Sequence, residues 1–252
     1  MRTVPRLKIC GVNFDNISLP ELEAFLRDVA GSGEGQVFIV TPNVDFVIRA
    51  AQNEEFKNIL NKADLSLCDS SIVLLGSLIL RKTLKSRVTG FDATHILLTL
   101  SAETSEKVFL LGSTDENLKL VSEKLSNKYP RLSVSGMHNG FFSFTDSQMV
   151  IDKINSSDAS FLFIGMGSPR QEQWISSHRS KINAKYIICI GGLFEVLSER
   201  IKRAPVFMQK LGLEWFWRLI NEPKRLWKRY LVEDIYFFRL IFKEMLRGVK
   251  KQ

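Results

Sequence analysis

The chain has 252 residues and a mass of 28.8 kDa, enough for one large core or two smaller ones. Its 45% hydrophobic and 25% charged residues exclude a chain disordered from end to end. The net charge of +8 is unevenly placed: residues 1–198 are balanced, while residues 199–252 hold 14 basic and 6 acidic side chains together with Trp215, Trp217 and Trp227.

In chain order, Met1–Arg6 has no apolar run behind it, so no signal peptide is expected, and no stretch reaches the roughly 18 apolar residues of a spanning helix. Leu7–Asp15 alternates and predicts a small edge hairpin. Ser18-Leu-Pro-Glu21 has the spacing of a capping box and opens a helix. A pattern then recurs in which a short apolar, β-branched run meets a turn residue and a helix-period segment. Val37–Val40 leads to Thr41-Pro42-Asn43, Leu65–Cys68 to Asp69-Ser70, and Val108–Leu111 to Gly112-Ser113-Thr114. Phe161–Ile164 leads to Gly165-Met-Gly167-Ser168, and Tyr186–Ile190 to Gly191-Gly192. Five such units predict a doubly wound α/β domain over residues 1–198, with ligands bound beyond the carboxyl ends of its strands.

After Arg200 the texture changes. Pro205 and Pro223 punctuate basic, aromatic-rich segments, and Lys224–Arg247 runs without Pro or Gly. At about 100° per residue, Arg225, Arg229, Arg239, Lys243 and Arg247 share an arc with Val232 and Tyr236 between them. Trp227, Leu231, Ile235, Phe238, Ile241, Phe242 and Met245 take the other side. Residues 199–252 therefore read as a basic amphipathic helical appendage suited to an anionic membrane surface.

Among the junctions, Gly165-Met-Gly-Ser-Pro-Arg-Gln-Glu172 is the richest. Its glycines let the backbone turn near a ligand, Pro169 suits a first helical position, and a helix start with free N–H groups favours a phosphate. Ser168-x-x-Gln171 is equally a capping box, and Glu172 equally a complement to the helix dipole. Thr41 and Asn43 are either ligand contacts or caps. Asp69, just past a buried strand, is either a general base or the N-cap of the helix beginning near Ser71. Arg87-Val-Thr-Gly-Phe-Asp92 offers a phosphate clamp or an ordinary ion pair. No Asp-x-Asp occurs, so a common metal-holding pair of nucleotide-sugar enzymes is missing; Glu21-x-Glu23 lies in a solvated helix pattern. Three dispersed cysteines (Cys10, Cys68, Cys189) and histidines (His95, His138, His178) form neither disulfide framework nor zinc site nor Ser-His-Asp triad, and fit a reducing compartment.

Taken together and in order, these residues resemble the WecG/TagA/CpsF family of bacterial glycosyltransferases. The matching pieces are Thr41-Pro-Asn43, Ala63–Asp69, Arg87-Val-Thr-Gly-x-Asp92, Gly165–Glu172, Gly191-Gly192, Arg200-x-Lys-Arg-Ala-Pro205, Leu211–Trp215, Arg218 and Pro223-x-Arg225. The resemblance implies a Rossmann-like catalytic domain and an inverting, metal-independent and cofactor-free transfer from a UDP-sugar. N-acetylmannosamine or a related hexose would go to a polyprenyl-diphosphate-linked sugar, at the cytoplasmic face of the inner membrane. It assigns the base to Asp69, donor or acceptor contacts to Thr41, Asn43 and Gln171, and a cation near the diphosphate to Arg87. Gly165, Gly167, Glu172, Gly191 and Gly192 count among the substrate-binding residues, with Arg218, Arg225 and Lys228 or Arg229 supplied by the appendage. Two positions depart from many relatives: Ser70 stands where Gly follows the base, and Glu195 where Asp follows the double glycine.

Other classes compete. A Rossmann-type oxidoreductase or methyltransferase is disfavoured because the first βα junction lacks G-x-G-x-x-G. A nucleic-acid binder would use the basic, Trp-bearing tail, but its apolar face suits lipid better. That face would also serve a homo-oligomer interface.

Overall fold

A computed structural model describes residues 4–32, 35–202, 204, 205, 208, 214–221 and 234–249. The chain opens with the expected hairpin, β1 (Arg6–Ile9) against β2 (Val12–Asp15), turning through Cys10 and Gly11 at φ of 48° and 87°. Positive φ at both turn residues matches the strand twist of a tight hairpin. The hairpin forms its own two-stranded sheet rather than an edge of the main one. It is pinned there by Asp15, whose carboxylate accepts from Ser66 N–H at 2.7 Å and from Arg6 at 3.0 Å. Helix α1 (Leu19–Ser32) follows, with Ser18 N–H donating to Glu21 at 2.8 Å as a capping box requires.

Six parallel strands make the main sheet in the order β4-β3-β8-β7-β5-β6. They are β3 (Val37–Val40), β4 (Leu65–Ser66), β5 (Lys107–Gly112), β6 (Ser133–His138), β7 (Ala159–Gly165) and β8 (Tyr186–Cys189). A parallel sheet must be covered on both faces, and the strand sequences alternate to supply both cores. Phe38, Val40, Phe109, Leu111, Leu162, Ile164, Ile187 and Cys189 enter one core. It is closed by α2 (Val44–Gln52), α3 (Glu54–Asn61), α4 (Ser71–Ile79), α7 (Ser147–Ser156) and α8 (Arg170–His178). Val37, Ile39, Val108, Leu110, Phe161, Phe163, Tyr186 and Ile188 enter the other. There α1, α5 (Gly90–Thr104), α6 (Asp115–Lys128) and α9 (Leu193–Leu197) close it. Each such fully buried side chain contributes about 1.5–3 kcal/mol.

The sixth strand, β6, was not expected. Its sequence SVSGMH has no apolar run because it is an edge strand, and Gly136 is there so that the Phe109 ring can pass, an added Cβ standing 2.6 Å away. The run Leu65–Cys68 yields strand only over Leu65–Ser66, although Leu67 N–H still reaches Val40 O at 2.9 Å.

Beyond residue 198 the described helices are α10 (Glu214–Asn221) and α11 (Asp234–Val249). The helix expected over Lys224–Arg247 thus appears as α11, while Arg225, Trp227, Lys228, Arg229, Leu231 and Val232 lie outside the described residues. The side of α11 that faces out differs from the one its helical projection predicts. Ile241, expected on the membrane side, is buried with Phe237, and Tyr236, expected on the basic arc, packs against the core. The cause is Gly76 of α4, where an added Cβ would stand 2.8 Å from the Phe237 ring and 3.0 Å from Ile241 Cδ1. Glu244 completes the docking, accepting from Cys10 N–H and from Lys82 Nζ, each at 2.6 Å. Ile235, Phe238, Phe242 and Met245 remain exposed, as do Arg239, Lys243 and Arg247. No helix among the described residues is long and apolar enough to cross a membrane.

Candidate active site

The carboxyl ends of β3, β4, β5, β7 and β8 bring all five anticipated junctions to one rim of the sheet. The helices after β5 and β7, α6 and α8, leave toward opposite faces, which opens a crevice between these adjacent strands. Two glycines at the crevice exist for packing. A Cβ on Gly112 would stand 2.3 Å from Gly165 O, and one on Gly165 would stand 2.5 Å from the Phe194 ring. The next three serve a different purpose. Gly167 and Gly191 adopt φ of 80° and 56°, which an L side chain resists, and at both, as at Gly192, a Cβ would meet nothing within 4 Å. The turns after β7 and β8 therefore present bare backbone to open space.

These turns are held from below. Gln171, 1% exposed, accepts from Gly191 N–H at 3.1 Å and donates to Glu172 Oε1 at 2.6 Å, joining the β7 turn to the β8 turn. The alternative of a capping box at Ser168 is not realised. Helix α8 starts at Arg170 with Pro169 at the N-cap, which has no side-chain acceptor, and Gln171 is committed to Gly191 and Glu172. Glu172 is not an outward complement to the helix dipole either. It is fully buried, and burial pushes its carboxyl up to about 7, partly offset by the Gln171 hydrogen bond.

At the other side of the rim the groups are side chains. Pro42 O accepts from Asp69 N–H at 3.3 Å, and Cys68 O accepts from Val88 N–H at 2.9 Å, which gathers Thr41–Asn43, Asp69 and Arg87. Thr41 is 9% exposed and lies against Gly90, where a Cβ would approach its Oγ1 to 3.2 Å. Asn43 caps α2, its Oδ1 accepting from Phe46 N–H at 3.4 Å. The alternative of Asp69 as a helix cap is not realised, because Ser70 takes that place, accepting from Ile72 and Val73 N–H at 3.2 and 3.4 Å. Ser70 has φ of −116° and ψ of 128°, extended backbone that needs no glycine. Asp69 and Arg87 are both half-buried. Both act on the buried Cys68 thiol, which burial pushes up to about 12, Asp69 raising it further and Arg87 lowering it. Asp92 serves a capping box with Thr89, accepting from its Oγ1 at 2.6 Å.

Glu195, whose role the sequence left open, binds across the crevice. Its Oε1 accepts from Ser113 Oγ at 2.9 Å and from Asn117 Nδ2 at 3.0 Å, tying α9 to the loop after β5 and to α6. Sequence reasoning missed Ser113 and Asn117 as its partners, and also Phe141. This ring is 76% exposed on the loop after β6, and the neighbouring Gly140 N–H donates to Ser113 O at 3.0 Å. Only the pair Gly140-Phe141 signals it. Arg218 falls on α10, while Arg225 and Arg229 lie outside the described residues. No group of three His, Cys, Asp or Glu able to hold a metal ion occurs among the described residues.

A parallel sheet with glycine turns and a switch-point crevice is a Rossmann-like α/β enzyme architecture. Residues 7–251 match the glycosyl transferase WecG/TagA/CpsF family; the chain belongs to this family and is a glycosyltransferase. Similar curated proteins come from Staphylococcus aureus strains MRSA252 and MW2. Each is named N-acetylglucosaminyldiphosphoundecaprenol N-acetyl-beta-D-mannosaminyltransferase, and each is 29% identical over 247 residues, 98% of this chain and 95% of the relative.

Proposed function

We propose that this glycosyltransferase moves N-acetylmannosamine or a closely related hexose from a UDP-sugar to a polyprenyl-diphosphate-linked sugar, with inversion and without a metal, in bacterial surface polysaccharide synthesis. The observation that carries the chemistry is that Ser70 caps α4 in place of Asp69, with Arg87 close by. The substrate class is supported by the names of the staphylococcal relatives, which span nearly the same length.

In this mechanism Asp69 takes the proton from the acceptor hydroxyl as its oxygen attacks the anomeric carbon. The bond from that carbon to the diphosphate breaks, and its electron pair leaves with UDP. A single displacement inverts the centre with no covalent intermediate. Charge growing on UDP is met by the bare backbone around Gly167 and Gly192, by the start of α8, and by Arg87. Arg218, Arg225 and Arg229 of the C-terminal segment add to it. Thr41 and Asn43 contact sugar hydroxyls from the β3 end, while Gln171 and Glu172 hold the cradle rather than touch the donor. Phe141 offers a stacking face for the base at the crevice mouth. Metal independence is supported by the absence of Asp-x-Asp. A lipid-linked acceptor puts the enzyme at the cytoplasmic membrane surface as a peripheral protein, in keeping with the exposed basic and apolar residues of α11.

The test is transfer from a panel of UDP-sugars to a synthetic polyprenyl-diphosphate N-acetylglucosamine, with and without EDTA, with product configuration read by NMR. Transfer of one sugar with inversion, unchanged by EDTA, is expected. No transfer from any UDP-sugar overturns the donor, retention overturns the single displacement, and loss with EDTA overturns metal independence.

A further inference from the structure

Two helices that pack against each other leave unusual apolar surface outside. Helix α4 turns Val73, Gly76 and Ser77 inward, and its opposite side carries Leu75, Leu78 and Ile79, which are 49%, 51% and 42% exposed. Its neighbour α11, seated at Gly76, leaves Phe238, Phe242 and Met245 outside. Charge is sorted around these residues. The sequence of α4, SIVLLGSLI, has no charged residue, and exposed Arg81 follows it. Arg239, Lys243 and Arg247 of α11 are exposed, whereas Glu244 is engaged with Lys82 and Cys10 N–H. Asp69 comes directly before Ser70, the cap of α4.

We propose that α4 is itself a membrane-docking element, inserting Leu75, Leu78 and Ile79 into the headgroup region of an anionic bilayer beside the exposed side of α11. This rests on the proposed lipid-linked acceptor and deepens it: part of the membrane contact belongs to the α/β body, not only to the C-terminal segment. Leu75 lies about 6 Å of helical rise beyond Ser71, the first residue of α4, and Asp69 stands two residues before Ser71. A docked α4 therefore holds the base close to the bilayer surface from which a lipid diphosphate presents its sugar. Nine residues are too few to span a bilayer and enough to lie in its interface. A second copy of the chain fits this face poorly. A two-fold contact sets a patch against itself, so the cations at Arg81, Arg239, Lys243 and Arg247 would meet their own kind. Anionic headgroups meet the same cations with opposite charge.

The test compares the full chain with the variant Leu75→Ser/Leu78→Ser/Ile79→Ser. Co-sedimentation uses phosphatidylcholine vesicles with 30% phosphatidylglycerol, set at roughly that anionic fraction to give a negative surface potential. Expected is vesicle binding weakened about tenfold or more, with unchanged melting temperature and unchanged transfer to an acceptor on a short, water-soluble tail; one 1.4 kcal/mol step of apolar transfer already gives tenfold. Undiminished vesicle binding by the folded variant overturns the proposal. So does a wild-type dimer in sedimentation velocity that the substitutions dissociate while vesicle binding persists. If the triple variant does not fold, Leu78→Cys in a Cys10→Ser background, labelled with an environment-sensitive dye, replaces it. A blue shift on the anionic vesicles supports docking of α4, and no shift overturns it. Failure to transfer any UDP-sugar beside normal vesicle binding overturns the donor reading alone.

Discussion

At β7 and β8 the rim of the sheet is made of backbone, and at β3 and β4 it is made of side chains. The turns of the first side are fixed from the interior, through Gln171 and the buried Glu172, and show open space above Gly167, Gly191 and Gly192. The second side holds Asp69 and Arg87 half-buried on ends tied together by backbone hydrogen bonds. On the proposed mechanism, the difference separates two tasks. Backbone donors of fixed position suit a charge that appears in the same place at each turnover, whereas a proton must be taken by a group that can change its own charge.

Substitutions that act on one side only would sharpen this contrast. The largest effect is expected at Asp69→Asn, with turnover falling roughly 10²–10⁴-fold while Ser70 keeps the cap of α4. Near-normal turnover would remove Asp69 from the chemistry. Glu172→Gln is next. Burial raises this carboxyl from 4.5 to about 7, so between those values the folded state keeps a proton that the unfolded state has lost. Stability therefore falls as pH rises through that window and levels off above it, by up to roughly 3 kcal/mol in all. The glutamine variant should lose this slope, as read from denaturant midpoints at pH 5 and pH 8; identical slopes in both proteins would refute the buried carboxyl. Gly165→Ala should cost about 1–3 kcal/mol of stability through its collision with Phe194. Gly167→Ala, with no such neighbour, should cost only roughly 1 kcal/mol through its positive φ while weakening UDP binding. Equal melting temperatures for the two alanine variants would contradict the division into packing and cradle glycines. The smallest effect is at Ser70→Ala, about 1 kcal/mol for the lost cap, measured by thermal melting.

The strands that pair on both sides were legible because burial on two faces forces continuous apolar runs, as in Val108–Leu111 and Phe161–Ile164. Strand β6 was not, since an edge strand with Ser133, Ser135 and Gly136 needs no such run. Every junction at the rim could be located from the residue that ends its strand, but what each side chain does there could not. Ser168 and Gln171 have the spacing of a cap, yet Gln171 bonds across to Gly191, a partner 20 residues away in the chain. Glu172 looks like a surface acid by type and is buried by tertiary packing. Likewise, helical periodicity divided the C-terminal helix into a basic and an apolar side, and only the presence of Gly76 shows that Phe237 and Ile241 face inward.

A glycine in the middle of α4 costs about 1 kcal/mol of helix propensity relative to alanine, and the residues that use the space it leaves come some 160 positions later. Until Phe237 and Ile241 are seated, α4 has an empty seat on one side and bare leucines on the other. A folding intermediate without α11 docked is therefore stickier than the finished enzyme, and docking of α11 closes one of those faces.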